Sequence, residues 1–214
     1  MKIELMNQYV IKILISLREN ENNSISSISK RINLSYGWTN KWVNELIKEG
    51  ILKAKYRGFE LQEKNEKYRA ILRFIKENLK DINFYYSVLQ LFGIEYCFTK
   101  TDAVYLWTEG RYNIARYKEF YPVFIKIKKE DYKLFLGYCK KLGLKINSKT
   151  GVFYNVEIVE NLEYVKKDDF FVESLDKTIN FMQDNIYNFE PALEMIKEMY
   201  NKNIKIKYKE VNYL

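Results

Sequence analysis

Histidine is absent from the 214 residues. With it go histidine triads, histidine general bases and nearly every common catalytic zinc site. Cysteine occurs twice, as Cys97 and Cys139. Two are too few for a disulfide scaffold or a four-cysteine metal site, so both read as reduced, buried small apolar residues. Only 2 Pro and 8 Gly punctuate a chain that is 47% hydrophobic and 30% charged, which excludes a disordered, collagen-like or linker-dominated protein. No run approaches the roughly 20 apolar residues of a membrane span. The opening MKIELMNQYVIKILISLREN is not a signal peptide, because Glu4, Lys12 and Arg18 interrupt it and no small-residue cleavage site follows. It reads as an amphipathic helix, and the expectation is a cytoplasmic protein with no membrane partner.

What is present is positive charge, unevenly placed. Residues 1–80 carry 16 Lys+Arg against 9 Asp+Glu, and residues 81–214 carry 20 against 19. A net +7 beside a net +1 points to a polyanion-binding module joined to a near-neutral second domain.

Apolar residues recur at helical spacing from Asn7 to Asn20 (Val10, Ile11, Ile13, Leu14, Leu17). Ser24 or Ser26 can cap a short second helix whose apolar face is Ile28 and Ile32. The Asn33-Leu34-Ser35 connection is tight, with Ser35 a good N-cap for a third helix that Gly50 ends near Glu49. ILKAKYRGFELQ then predicts two short strands meeting near Arg57-Gly58. In ISSISKRINLSYGWTNKWVNELIKEGIL the placements of Ile28, Ile32, Leu34, Ser35, the NELIKEGIL closure and the β-ribbon agree with one another. Residues 5–64 thereby resemble the winged helix-turn-helix regulators of bacteria and archaea. The resemblance implies double-stranded DNA as partner, read by the third helix, with two copies on a palindromic site as a dimer or as paired monomers.

The third helix can be laid out from its period alone. Thr39, Val43 and Leu46 form one narrow stripe, which must face the core. Gly37, Lys41, Asn44 and Lys48 fall opposite, with Asn40 at one edge and Trp38, Trp42 and Glu45 towards the other; Trp42, nearest the core stripe, reads as packing. Asn suits adenine N6/N7 and Lys suits guanine O6/N7, while Gly37 permits close backbone approach and Tyr36 and Trp38 can touch a thymine methyl. Lys53, Lys55 and Arg57 on the wing, with Lys30 and Arg31 on the second helix, are the candidate phosphate contacts.

After the wing, Ile71, Leu72, Ile75 and Leu79 keep helical spacing, and Val88, Leu89 and Phe92 suit another helix, so 66–92 reads as a helical connector. From Gly93 on, strands (96–99, 122–129, 152–160) alternate with helices (from about Thr101, 130–143, and two near the end, the second with Pro191 in its first turn). Three segments occur in order: FTKTDAVYLW, YPVFIKIKKEDYKLF, and FFVESLDKTINFM followed by FEPALEMIKEMY. They resemble the C-terminal domain of AbiEi-type antitoxins, regulators of type IV toxin–antitoxin systems, and their archaeal relatives. The resemblance implies an antitoxin-like regulator whose second domain has a nucleotidyltransferase-like layout without catalysis, and a protein partner for that domain.

Catalysis finds no support in the residues. A nucleotidyltransferase needs a Gly-Ser turn and clustered acids for metal ions, and the chain has no Gly-Ser dipeptide. Its adjacent acids, Asp168-Asp169 and Glu130-Asp131, point apart on a strand or merely suit a helix N-terminus. No Walker A, GxGxxG or GxSxG occurs. The expectation is no enzyme, no cofactor and no metal. RYNIARYKEFYP at 111–122 mixes aromatics with cations, making Arg111, Tyr112, Arg116 and Tyr117 the candidate contacts for a protein partner. The predicted fold class is α+β: a winged helix-turn-helix over 1–65, the helical connector over 66–92 and a mixed α/β domain over 93–214. Two other readings stay open: a winged helix that docks a protein instead of DNA, and a nucleotidyltransferase-like enzyme.

Overall fold

The computed structural model describes residues 7–17, 23–78, 81–114 and 116–205. They form two compact units, one running to Ile94 and including Asp131–Leu144, the other comprising Glu95–Glu130 and the chain from Lys145 on. Among the described residues no helix is long and apolar enough to cross a membrane.

The first unit begins with α1 (Gln8–Ser16), N-capped by Asn7, whose side chain accepts from the Tyr9 N–H at 2.9 Å. Val10, Ile13 and Leu14 supply its buried stripe. The expected continuation towards Asn20 lies outside the described residues from 18 on. α2 (Ile25–Arg31) opens on a capping box in which Ser24 and Ser27 each accept the other's backbone N–H at 3.1 Å. The chain turns through Asn33, held at φ 50°, and Leu34, and Ser35 then caps α3 (Tyr36–Lys48). Gly50 at φ 68° ends that helix. β1 (Leu52–Lys55) and β2 (Gly58–Leu61) pair antiparallel in the register Leu52↔Leu61 to Lys55↔Gly58. Their turn is therefore Tyr56-Arg57, one residue before the expected Arg57-Gly58. Buried Asn23 adds a bridge to Phe59 (N–H to O 3.1 Å), tying the entrance of α2 to the wing.

α4 (Glu66–Asn78) follows, its first turn capped by Asn65, and buries Tyr68, Ile71 and Ile75. Leu79 of the expected stripe lies outside the described residues. α5 (Ile82–Val88) and a single 3-10 turn (Leu89–Leu91) complete the expected helical stretch. They bring Phe92, fully buried, and Gly93 to the core. A Cβ on Gly93 would stand 2.1 Å from the Arg31 carbonyl oxygen and 2.8 Å from the Ile32 Cα, so only glycine lets this segment lie against the end of α2.

Residues 131–142 lie in α7 (Lys129–Leu142), a helix expected in the C-terminal domain; they belong to the first unit. Its apolar face explains this. Phe135, Tyr138, Cys139 and Leu142 are buried, and the Phe92 ring lies 4.7 Å from Tyr138 and 6.2 Å from Phe135. Lys141 Nζ donates to the carbonyls of Leu14 at 2.5 Å and Leu17 at 3.3 Å. Those are the unsatisfied C-terminal acceptors of α1, a helix with no basic residue in its own last turn.

The second unit is built on a five-stranded mixed sheet in the order β5-β4-β3-β7-β6. β3 (Tyr96–Phe98) runs antiparallel to β4 (Phe120–Lys128) and parallel to β7 (Phe170–Val172). β4 is parallel to β5 (Gly151–Val159), and β7 is antiparallel to β6 (Val165–Lys167). The expected alternation holds in β4, where Val123, Ile125 and Ile127 are buried and Lys126 and Lys128 are not. β6 and β7 were not expected. α6 (Lys100–Trp107), α8 (Leu175–Asp184) and α9 (Ile186–Tyr200) share a core of Val104, Met182, Phe189, Ala192, Leu193 and Ile196. α9 starts ahead of FEPALEMIKEMY, so Pro191 falls in its interior and not in its first turn.

Candidate nucleic-acid interface

The outward face of α3 follows from its period. Thr39, Trp42, Val43 and Leu46 are buried, which leaves Gly37, Lys41, Asn44 and Lys48 exposed on the opposite side and Asn40 half-buried at the edge. Tyr36 and Trp38 are 58% and 49% exposed. Among the described residues, a Cβ on Gly37 would meet nothing within 4 Å. Asn44 Nδ2 donates to Asn40 Oδ1 at 3.0 Å, joining the two amides one turn apart.

The two flanks of α3 differ. On the tryptophan flank, Tyr9 of α1 stacks on Trp38 (5.8 Å between centroids, 26°) and approaches Trp42 at 6.4 Å. Lys41 Nζ stands over both indoles, 4.8 Å from Trp38 and 5.3 Å from Trp42. The ammonium is thereby placed by cation–π attraction. On the other flank an open groove of about 320 Å³ lies between α3, the start of α2 and the wing. Tyr36, Asn44, Arg57 and Ser26 line it over a floor that includes Val43 and Phe59.

The wing presents Lys53, Lys55 and Arg57, all exposed, and carries Tyr56 at its tip, 95% exposed with the Arg57 guanidinium 5.5 Å from its ring. Among the described residues, two of the candidate cations on this surface have acidic neighbours. Lys55 pairs with Glu60 and Lys48 with Glu45, each at 2.8 Å. Hydrogen bonds from these lysines hold both carboxyls below the usual glutamate range. Lys30 is exposed, whereas the guanidinium of Arg31, half-buried, donates to the Ser16 carbonyl. Arg31 thereby ties α2 to α1 through one of its donors.

The structure thus brings Tyr36, Asn44 and Arg57 together around one groove and sets Trp38 and Lys41 on the far flank. Tyr9 and Tyr56 were missed. The signal for Tyr9 was a lone aromatic among the aliphatic residues of α1; that for Tyr56 was an aromatic in the two-residue turn of a basic hairpin.

The candidates in the second unit are divided. Arg111 is exposed beside Glu109, and Tyr117 is 61% exposed. Tyr112 packs on Phe189 and donates its hydroxyl hydrogen to the Asn188 carbonyl. Arg116 corrects the expectation outright. Its side chain is 3% exposed and pairs at 2.6 Å with fully buried Asp102, while Tyr121 lies 4.5 Å beneath the guanidinium. The other carboxylate oxygen of Asp102 accepts the Phe124 N–H at 2.6 Å. Arg116 holds its own unit together and is not presented to a partner.

The acid pairs are also placed. Asp168-Asp169 forms the turn of the β6–β7 hairpin and does not lie on a strand, and Glu130-Asp131 lies in the first turn of α7. Among the described residues no group of three or more His, Cys, Asp or Glu side chains could hold a metal ion. Cys97 and Cys139 are buried free thiols, and burial pushes the Cys97 thiol up to about 12.

No curated protein and no solved structure matches the chain. Residues 6–53 match the family described as winged helix-turn-helix DNA-binding. The match spans α1, α2 and α3 and enters β1, and the hairpin that completes the wing continues beyond it. The first unit carries, over those residues, a segment similar to the winged helix-turn-helix DNA-binding family.

Proposed function

We propose that the chain is a sequence-specific, double-stranded DNA-binding transcriptional regulator. The observation that carries this reading is the outward face of α3. It combines two coupled amides, exposed lysines, a glycine and two exposed aromatics, beside a wing with three exposed cations. Amides and lysines supply base-edge recognition in a major groove, while Lys53, Lys55, Arg57 and Lys30 supply phosphate contacts. The finer parts of the proposal are two copies on a palindromic site, a cytoplasmic, non-enzymatic protein, and an antitoxin-like protein-binding role for the second unit. The exposed Arg111 and Tyr117 are the residues that favour that last role.

Duplex binding by fluorescence anisotropy across salt concentrations tests the reading. The full chain is required, because Asp131–Leu144 belongs to the first unit. Tight binding to DNA upstream of its own gene, weaker binding to a scrambled duplex and a steep salt dependence are expected. Arg57→Ala should weaken all duplexes alike and flatten the salt slope by about one unit. Absence of binding at low salt would turn the helix face into a protein-docking surface.

A further inference from the structure

The Asn44 amide is oriented before any ligand arrives. Its nitrogen donates one hydrogen to Asn40 Oδ1 at 3.0 Å. A carboxamide nitrogen carries two hydrogens, so the second hydrogen and Oδ1 remain to face outward. A half-turn of the Asn44 amide would set its oxygen against the Asn40 oxygen, two acceptors face to face. With the Asn40 oxygen in this position the bond sets which way the Asn44 amide points, and Asn40, half-buried at the edge of the helix, is the residue that supplies it. Asn44 itself is exposed and lines the groove with Tyr36 and Arg57.

One donor beside one acceptor in a plane matches a single base edge of the major groove. Adenine presents N7 as acceptor next to N6–H as donor. Guanine presents two acceptors, N7 and O6, and would set O6 against Asn44 Oδ1. Thymine presents an acceptor and a methyl, and cytosine a donor without an adjacent acceptor. Lys41, the residue that would favour guanine, is drawn over the Trp38 and Trp42 rings on the other flank.

We propose that Asn44 reads one adenine in each half-site and that Asn40 is a positioning residue that fixes the reading amide. The inference rests on the DNA-binding reading above. It adds the identity of one base and a division of labour between two residues that the helical period alone leaves equivalent.

The test uses the full chain and a randomised duplex library at physiological salt. The enriched site should demand A·T at one position of each half-site. Replacing that adenine by 7-deazaadenine, which pairs normally but lacks N7, should lower affinity by about tenfold to a hundredfold. Asn44→Ala should lose the preference at that position, become indifferent to 7-deazaadenine and keep its preferences elsewhere. Asn40→Ala removes the acceptor and should relax the adenine preference, lowering affinity for the adenine site by less than Asn44→Ala does and leaving the preferences elsewhere unchanged. Asn40→Asp keeps an acceptor but adds negative charge, so it should weaken all duplexes while retaining adenine. A merely structural Asn40 would not give this opposite pair of outcomes. A chain that enriches no duplex overturns the DNA reading and this inference with it. A chain that enriches a site whose adenine preference survives Asn44→Ala overturns the Asn44 assignment alone, and an Asn40→Ala variant with unchanged preference overturns the positioning role.

Discussion

Arg57 and Arg116 sit in the same kind of sequence and do opposite things. Each has a tyrosine beside it in sequence, and each guanidinium stands against a tyrosine ring, Arg57 5.5 Å from Tyr56 and Arg116 4.5 Å from Tyr121. Arg57 projects from a hairpin turn with its tyrosine 95% exposed. Arg116 is closed inside the second unit on fully buried Asp102. The difference comes from the setting of the acid: fully buried Asp102 closes Arg116 inside the fold, whereas an exposed carboxylate such as Glu60 beside Lys55 leaves its cation at the surface. Interleaved cations and aromatics are therefore a signature of two destinations, and local sequence does not choose between them.

The contrast can be broken hardest at Asp102. Asp102→Ala leaves a buried guanidinium without its counter-charge and the Phe124 N–H without its acceptor. The expected loss is about 3–5 kcal/mol, read from denaturant unfolding of the full chain. Arg57→Ala, the outward counterpart, should leave unfolding within about 0.5 kcal/mol of the parent. Equal costs at the two sites would remove the distinction drawn here.

The first unit has inward devices of its own, and these rank next. Gly93→Ala drives a Cβ into backbone atoms of Arg31 and Ile32, which cannot swing aside as a side-chain tip would, at a φ of 25° that a side chain disfavours. About 3 kcal/mol of destabilisation is expected in the same assay. Lys141→Met keeps most of the aliphatic stem and removes the ammonium that satisfies the last carbonyls of α1. It should cost about 1–2 kcal/mol, and hydrogen exchange should quicken in the last turn of α1 before elsewhere.

The elements that could be read from sequence are those with local causes. Ser35, Gly50 and the Thr39-Val43-Leu46 stripe define α3 within a residue, and the alternation of Val123, Ile125 and Ile127 defines β4. What could not be read depends on residues far apart. Nothing near Lys141 announces that its partners are the carbonyls of Leu14 and Leu17, and nothing near Phe135 announces Phe92. So the amphipathic face of α7 was legible, but the unit it completes was not. The inward place of Arg116 escaped because Asp102 lies fourteen positions away across a helix and a loop. At the interface itself the exposed face of α3 was legible from its period. The bond between Asn40 and Asn44, and the stacking of Tyr9 under Trp38, needed coordinates.

The finest test of inward against outward use lies in two glycines. Gly93 is required by the fold, since its missing Cβ is occupied by neighbouring backbone. Among the described residues Gly37 has no such neighbour, and none of them explains the lack of a side chain in the first turn of a thirteen-residue helix. On propensity alone, Gly37→Ala should stabilise the helix by up to about 1 kcal/mol, less near its end than in its middle. A glycine kept against that gain is explained if something outside the chain must approach the backbone there, and Gly37 shares its face with Asn44 and Lys48. Gly37→Ala should therefore raise the unfolding midpoint slightly and lower duplex affinity, whereas a purely structural glycine would lose stability and leave affinity untouched. A more stable variant with full affinity would place the duplex further along α3, towards Asn44 and Lys48, and away from its first turn.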